Sequence, residues 1–174
     1  MGYSQDDLNR LIKYAQGLGL KVTIKDYVPR SRDAGYWDLG GDEITLFKIK
    51  GGSVTDLVLV MLHELAHHMS WIYDGRVLDP RFKLAIDKES ERKPNDPPIP
   101  KLLRKAIYIK EMNDTNYQEA IAFEVGLKIP KWKMELEREF DIWVYKCFYE
   151  TGEYPVRNDN IQKRRELRSK YGKK

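Results

Sequence analysis

Residues 54–73 read VTDLVLVMLHELAHHMSWIY, and the fold is decided by how this stretch is taken. No Pro or Gly interrupts it, Ser53 or Thr55 offers a cap at its start, and Leu57, Met61, Leu65 and Ile72 recur at the three-to-four spacing of a helix. Side chains four apart share a helix face, so His63 and His67 aim two imidazoles at one point, with Glu64 beside it. Two neutral imidazoles at about 2.0–2.1 Å, a third protein ligand and an open position for water make a catalytic zinc site. A carboxylate within reach of that water takes its proton, while the metal lowers the water's pKa toward about 7. The HExxH pattern fixes only three positions and does occur by chance. Against chance, the helix is strongly apolar, where a His pair and a Glu are costly to bury without a partner. All three His of the chain also fall between positions 63 and 68. The stretch therefore predicts a metal-activated hydrolase, with His63 and His67 holding Zn2+ and Glu64 as the general base.

Composition bounds the rest. A chain of 174 residues, 41% hydrophobic and 33% charged, is the size of one ordinary globular domain with a well-solvated surface. Its longest purely apolar run, Leu57 to Leu62, falls far short of the roughly 20 residues that span a bilayer, and MGYSQDD lacks a signal pattern. The expectation is a cytoplasmic protein with no membrane partner. The single cysteine, Cys147, lies in an aromatic helical pattern and reads as a packing residue. Net charge is +4, yet residues 161–174, IQKRRELRSKYGKK, hold seven Lys or Arg against one Glu, a local +6 that leaves the first 160 residues at −2. Such a tail can touch nucleic acid or an acidic partner, although Tyr171 is its only aromatic and no stacking platform is visible.

Working outward from the central helix, Ser4 and Asp7 form a capping-box pattern before Leu8, Leu11, Ile12, Ala15 and Leu18, a helix that stops at Gly19. Lys21 to Val28 alternates as a strand ended by Pro29, Tyr36-Trp37 can open a second, and Ile44 to Ile49 alternates as a third. These predict a small antiparallel or mixed meander before the central helix. Residues 87–100, DKESERKPNDPPIP, read as a charged, proline-rich surface excursion. Lys101 to Lys110 reads as helical, Asn113 to Asn116 as a turn, Thr115 or Asn116 to Leu127 as another helix, and Pro130 to Glu150 as a long final one. Trp71, Trp132 and Trp143 fall on apolar stripes and are expected in the core, and His68 reads as a packing or surface residue. The domain reading is one α+β domain over residues 1–156 and a basic tail over 157–174.

With no His downstream, the third ligand is a carboxylate, Cys147 or absent. Glu89 and Glu91 lie in the excursion and read as solvated. Glu119, in NYQEAIAFEVGL, shares a helical side with Ala122, Phe123 and Gly126, and a lone acid on such a face needs a partner that a metal would supply. Glu124 is about 140° away around the helix and reads as exposed.

HELAHH followed by an excursion and Glu119-Ala-Ile-Ala resembles the gluzincin metallopeptidases, whose second helix supplies a Glu ligand. TNYQEAIAFE at 115–124 resembles the corresponding segment of lethal-factor-like and phage-encoded metallopeptidases, and AFEVGLKIP is similar to the ImmA/IrrE group of small gluzincins. The resemblance covers about residues 20–130 and implies a zincin-like fold, His63, His67 and Glu119 as zinc ligands, and Glu64 as base. Two positions depart from it. Met112 stands where lethal-factor-like enzymes have a Tyr that stabilises the developing oxyanion, so that role passes to Tyr117, Tyr108 or Arg76. Phe123 stands where thermolysin-like enzymes have an Asp that orients a His. HELAHHMSW also resembles SprT-like proteases, which leaves Asp79, in LDPRFK, as an alternative third ligand. Ile44 to Ile49 can serve as the edge strand on which zincins lay an extended peptide.

The resulting expectation is a zinc endopeptidase cutting a specific protein substrate in a bacterial or phage-infected cell. Glu64 would activate the water and return its proton to the leaving amine. The rivals are a zinc-stabilised binding module with weakened catalysis and a nucleic-acid-associated protein acting through the basic tail.

Overall fold

The computed structural model describes residues 3–26, 34–39, 41–48, 52–93 and 95–172. The described residues form six helices and three strands, a mixed α+β architecture, and they group into two compact units. The first unit holds residues 1–76 and 116–128, the second residues 77–115 and 129–174.

In the first unit, helix α1 (Gln5–Gly17) begins at a capping box in which Ser4 and Asp7 bond each other's backbone N–H groups. It buries Leu8, Leu11 and Ala15 along one side, and Gly19, at φ 85°, turns the chain in a conformation that favours glycine. Strands β1 (Lys21–Asp26), β2 (Gly35–Trp37) and β3 (Glu43–Lys48) form a sheet of order β1-β3-β2. β1 runs parallel to β3, with Val22 opposite Ile44, whereas β2 is antiparallel, with Trp37 opposite Ile44. The sheet is mixed, one of the two expected forms, but its order is not that of a meander, since β1 pairs with β3 rather than β2. β3 is also its central strand and has no edge to offer, contrary to the expectation for Ile44 to Ile49. Its Ile44, Thr45 and Leu46 are all buried because both faces and both edges are covered. The expected continuation of the first strand to Val28 and of the third to Ile49 lies outside the described residues.

Helix α2 (Val54–Tyr73) starts at a second capping box, Ser53 with Asp56, and buries Val58, Met61, Leu62 and Leu65. It packs on β2, β3 and α1. Helix α4 (Lys101–Glu124) crosses from the second unit into the first, and its last turns are tied to α1. Arg10 donates to the carbonyls of Val125 and Gly126 at 3.4 and 2.8 Å. Tyr14 donates to Glu124 at 2.9 Å, and burial first, then that carboxylate, pushes the phenol up to about 12.

In the second unit, helix α3 (Pro80–Glu91) takes in residues 87–91, the start of the expected excursion. Asp79 caps it and Pro80 sits at its first position, where a missing N–H costs nothing. Nor does a turn divide α4 at Asn113 to Asn116. Thr115 donates its hydroxyl to the Met112 carbonyl at 2.8 Å and buried Asp114 takes an ion pair from Lys110 at 3.0 Å, so these turn-prone side chains are satisfied inside the helix. Helix α5 (Lys131–Thr151) ends at Gly152 in the left-handed conformation. Helix α6 (Arg157–Tyr171) follows, where a tail was expected, and its Leu167 packs against Leu136 and Phe140 of α5. Trp143 packs against this cluster as expected, whereas Trp132, at the start of α5, is exposed rather than core. No helix among the described residues is long and apolar enough to cross a membrane.

Candidate metal centre

Helix periodicity brings His63 and His67 together on α2. Their rings meet edge to face, with centroids 4.6 Å apart and the two Nε2 atoms 3.0 Å apart. Glu64 is buried beside them, and its Oε2 accepts the Trp37 backbone N–H at 2.8 Å. The short strand β2 thus fixes the direction of the carboxylate. From α4, the Gln118 amide lies 3.2 Å from His63 Nδ1, and Gln118 is itself buried. His68, as expected, packs: it is buried, 5.6 Å from the Trp37 ring and 5.7 Å from Trp71. Burial, with Arg76 adding to it, holds its pKa below the usual imidazole value, so the ring is neutral.

Seven residues before Gln118 on the same uninterrupted helix, and about 20° from it around the axis, stands the buried Glu111. Glu119, expected as the third ligand, is exposed on the same helix. The face it was placed on is divided, with Phe123 86% exposed and Ala122 buried. Helix α4 is continuous through this region. Reading a turn at Asn113 to Asn116 hid the stripe Leu103, Ile107, Glu111, Thr115, Gln118, Ala122, every member of which is buried. An acid within that three-to-four spacing was the signal that pointed to Glu111.

The other candidates are engaged elsewhere. Asp79 is exposed and caps α3, accepting the Arg81 N–H at 2.8 Å, and the Arg81 contacts lower its pKa. Tyr108 stacks on Tyr149 in the second unit. Arg76, in the left-handed region at φ 63°, lies over the Trp71 ring and lines a cavity of about 320 Å³ with His68, Trp71 and Asp42. Tyr117 stacks on Tyr73, 5.5 Å between centroids, within the unit that carries the histidines. Cys147 is half-buried on α5, and burial raises its thiol pKa, consistent with a packing role.

The donor set fits a divalent ion of the zinc type. Two nitrogens bound at about 2.0–2.1 Å in a tetrahedron stand about 3.3 Å apart, close to the 3.0 Å between the two Nε2 atoms. Two imidazoles and one carboxylate also leave a fourth position open. Compared with known proteins, the chain matches no family model, no curated protein and no solved structure.

Proposed function

We propose that the chain is a zinc-dependent endopeptidase with a zincin-like fold, acting on peptide bonds of a specific protein substrate. The observation that carries this reading is the convergence of His63 and His67 beside the buried, oriented Glu64. His63 and His67 would hold the ion, with Glu111, on the buried stripe of α4 that carries Gln118, as the third ligand. Bound there, zinc supplies Lewis acidity, polarising a carbonyl and lowering the pKa of water. Glu64 takes the proton of the attacking water and delivers it to the leaving amine, as a positioned general base and then acid. Its link to the Trp37 N–H keeps the carboxylate from turning away. Tyr117, in the same unit as the histidines, is the nearest in sequence to Gln118 of the three candidates for stabilising the oxyanion.

The basic helix gives less support to a nucleic-acid role than its composition implied. Arg164 pairs with Glu137 and Lys170 with Glu139, both at 2.6 Å, so part of its charge is answered by α5.

The test combines metal analysis with one substitution. The purified protein should carry about one zinc per chain and cleave a protein substrate. Glu64→Gln should keep the zinc and lose roughly 10²–10⁴-fold in rate, the usual contribution of a general base. A protein that takes up no zinc at neutral pH, or a Glu64→Gln variant as active as the parent, refutes the reading.

A further inference from the structure

His63 presents its two nitrogens to two partners: Nε2 to His67 Nε2 at 3.0 Å, and Nδ1 to the Gln118 amide at 3.2 Å. Gln118 is 5% exposed, so its amide must find its hydrogen bonds within the protein. Building on the zinc peptidase reading, we propose that Gln118 is the positioning residue for His63, and that its amide serves two states of that ring by a half-turn.

A neutral imidazole carries one proton and one lone pair. In the structure the amide NH2 faces Nδ1 and donates to it. With Nδ1 accepting, the ring proton would sit on Nε2, 3.0 Å from His67 Nε2, a distance at which one imidazole can donate to the other. To bind an ion, both Nε2 atoms must offer lone pairs. The same proton therefore moves from Nε2 to Nδ1 by way of solvent, and none is gained or lost. Nδ1–H now needs an acceptor. A half-turn about the last side-chain bond of Gln118 exchanges NH2 for oxygen with almost no change of shape, and that oxygen accepts. An ionised carboxylate, acceptor only, would serve the second state alone. The amide supports the histidine pair before loading and fixes the ligand tautomer after it, the role that outer partners of metal-bound histidines fill.

The experiment measures zinc affinity by competition with a chelating dye for the parent, Gln118→Leu and Gln118→Glu, together with 15N NMR of the histidine rings of the parent with and without zinc. Gln118→Leu should bind zinc about 10–100-fold more weakly, and Gln118→Glu should bind at least as tightly as the parent. The 15N spectra should show His63 protonated at Nε2 without zinc and at Nδ1 with it. Equal affinity of the Leu variant, or one His63 tautomer in both conditions, overturns the proposal. Should the Leu variant not fold, the parent's spectra decide alone. A parent that binds no zinc overturns the peptidase reading itself, which keeps the two failures apart.

Discussion

Glu111 and Glu119 lie eight residues apart on one helix, and eight steps of about 100° leave them roughly 80° apart around its axis. That offset separates a buried carboxylate from a solvated one. Burying a carboxylate is costly unless it is paired, so Glu111 needs the compensation that a cation or hydrogen bonds provide, whereas Glu119 has water. The two substitutions should therefore behave oppositely. Glu111→Gln should weaken zinc binding by more than the roughly 100-fold that loss of an outer partner can cost, because a charged ligand itself is removed. Glu119→Gln should leave affinity and activity within about twofold, since an exposed side chain away from such features contributes little. Dye competition on the two variants measures both. A strong effect at Glu119 with none at Glu111 would reverse the assignment of the third ligand.

Among the elements, the smallest strand controls the general base. Gly35 opens β2, and a Cβ placed on it would stand 2.6 Å from Val60 Cγ1 of α2 and 3.0 Å from the Thr45 carbonyl of β3. The backbone oxygen cannot yield, so β2 must lift from α2 and carry the Trp37 N–H off Glu64. Gly35→Ala should cost about 1–3 kcal/mol by overpacking and should lower kcat while zinc content stays unchanged; an unaltered kcat in a folded, zinc-loaded variant would show that strand placement does not orient Glu64. The start of α2 answers to simpler chemistry. Ser53→Ala removes the acceptor for the Asp56 N–H and should cost about 1 kcal/mol, read as a lower Tm. The Ser4 cap was legible in the sequence because it is local, a hydroxyl and a carboxylate three residues apart, whereas for this helix the sequence left Ser53 and Thr55 open and the structure takes Ser53. The pairing of His63 with His67 was legible too, since it needs only the helix repeat. The strand order was not legible, because β1 joins β3 rather than β2, and alternation says which residues form strands without saying which strands pair. Nor was α4, where Asn113, Asp114, Thr115 and Asn116 carry turn propensity that internal hydrogen bonds override. The buried stripe of α4 that carries Glu111 was hidden for that reason.

Across the whole molecule, the charge asymmetry finds a structural use in the second unit. The net +4 arises from the terminal basic segment, yet α6 lays that segment on acidic residues of α5. Arg164 reaches Glu137 while its guanidinium lies 3.8 Å from the centre of the Phe140 ring, and Lys170 and Tyr171 both donate to Glu139 at 2.6 Å. Apolar and ionic contacts thus act on one interface, and they can be separated by pH. The bonds from Lys170 and Tyr171 hold the Glu139 carboxyl below the usual carboxylate range. A group whose folded pKa is depressed contributes stability that is complete above its unfolded value, about 4.3 for Glu, and that fades as pH falls through the folded value. Leu167, buried between Leu136 and Phe140, has no such dependence. Leu167→Ala should therefore destabilise the second unit by about 2–5 kcal/mol at pH 7 and by a similar amount at pH 3. Glu139→Gln should matter at pH 7 and less at pH 3, which lies below the unfolded value, where the contribution of this charge fades. Thermal unfolding of both variants at the two pH values checks this, and a Glu139→Gln penalty that persists undiminished at pH 3 would mean that α6 is held by packing alone.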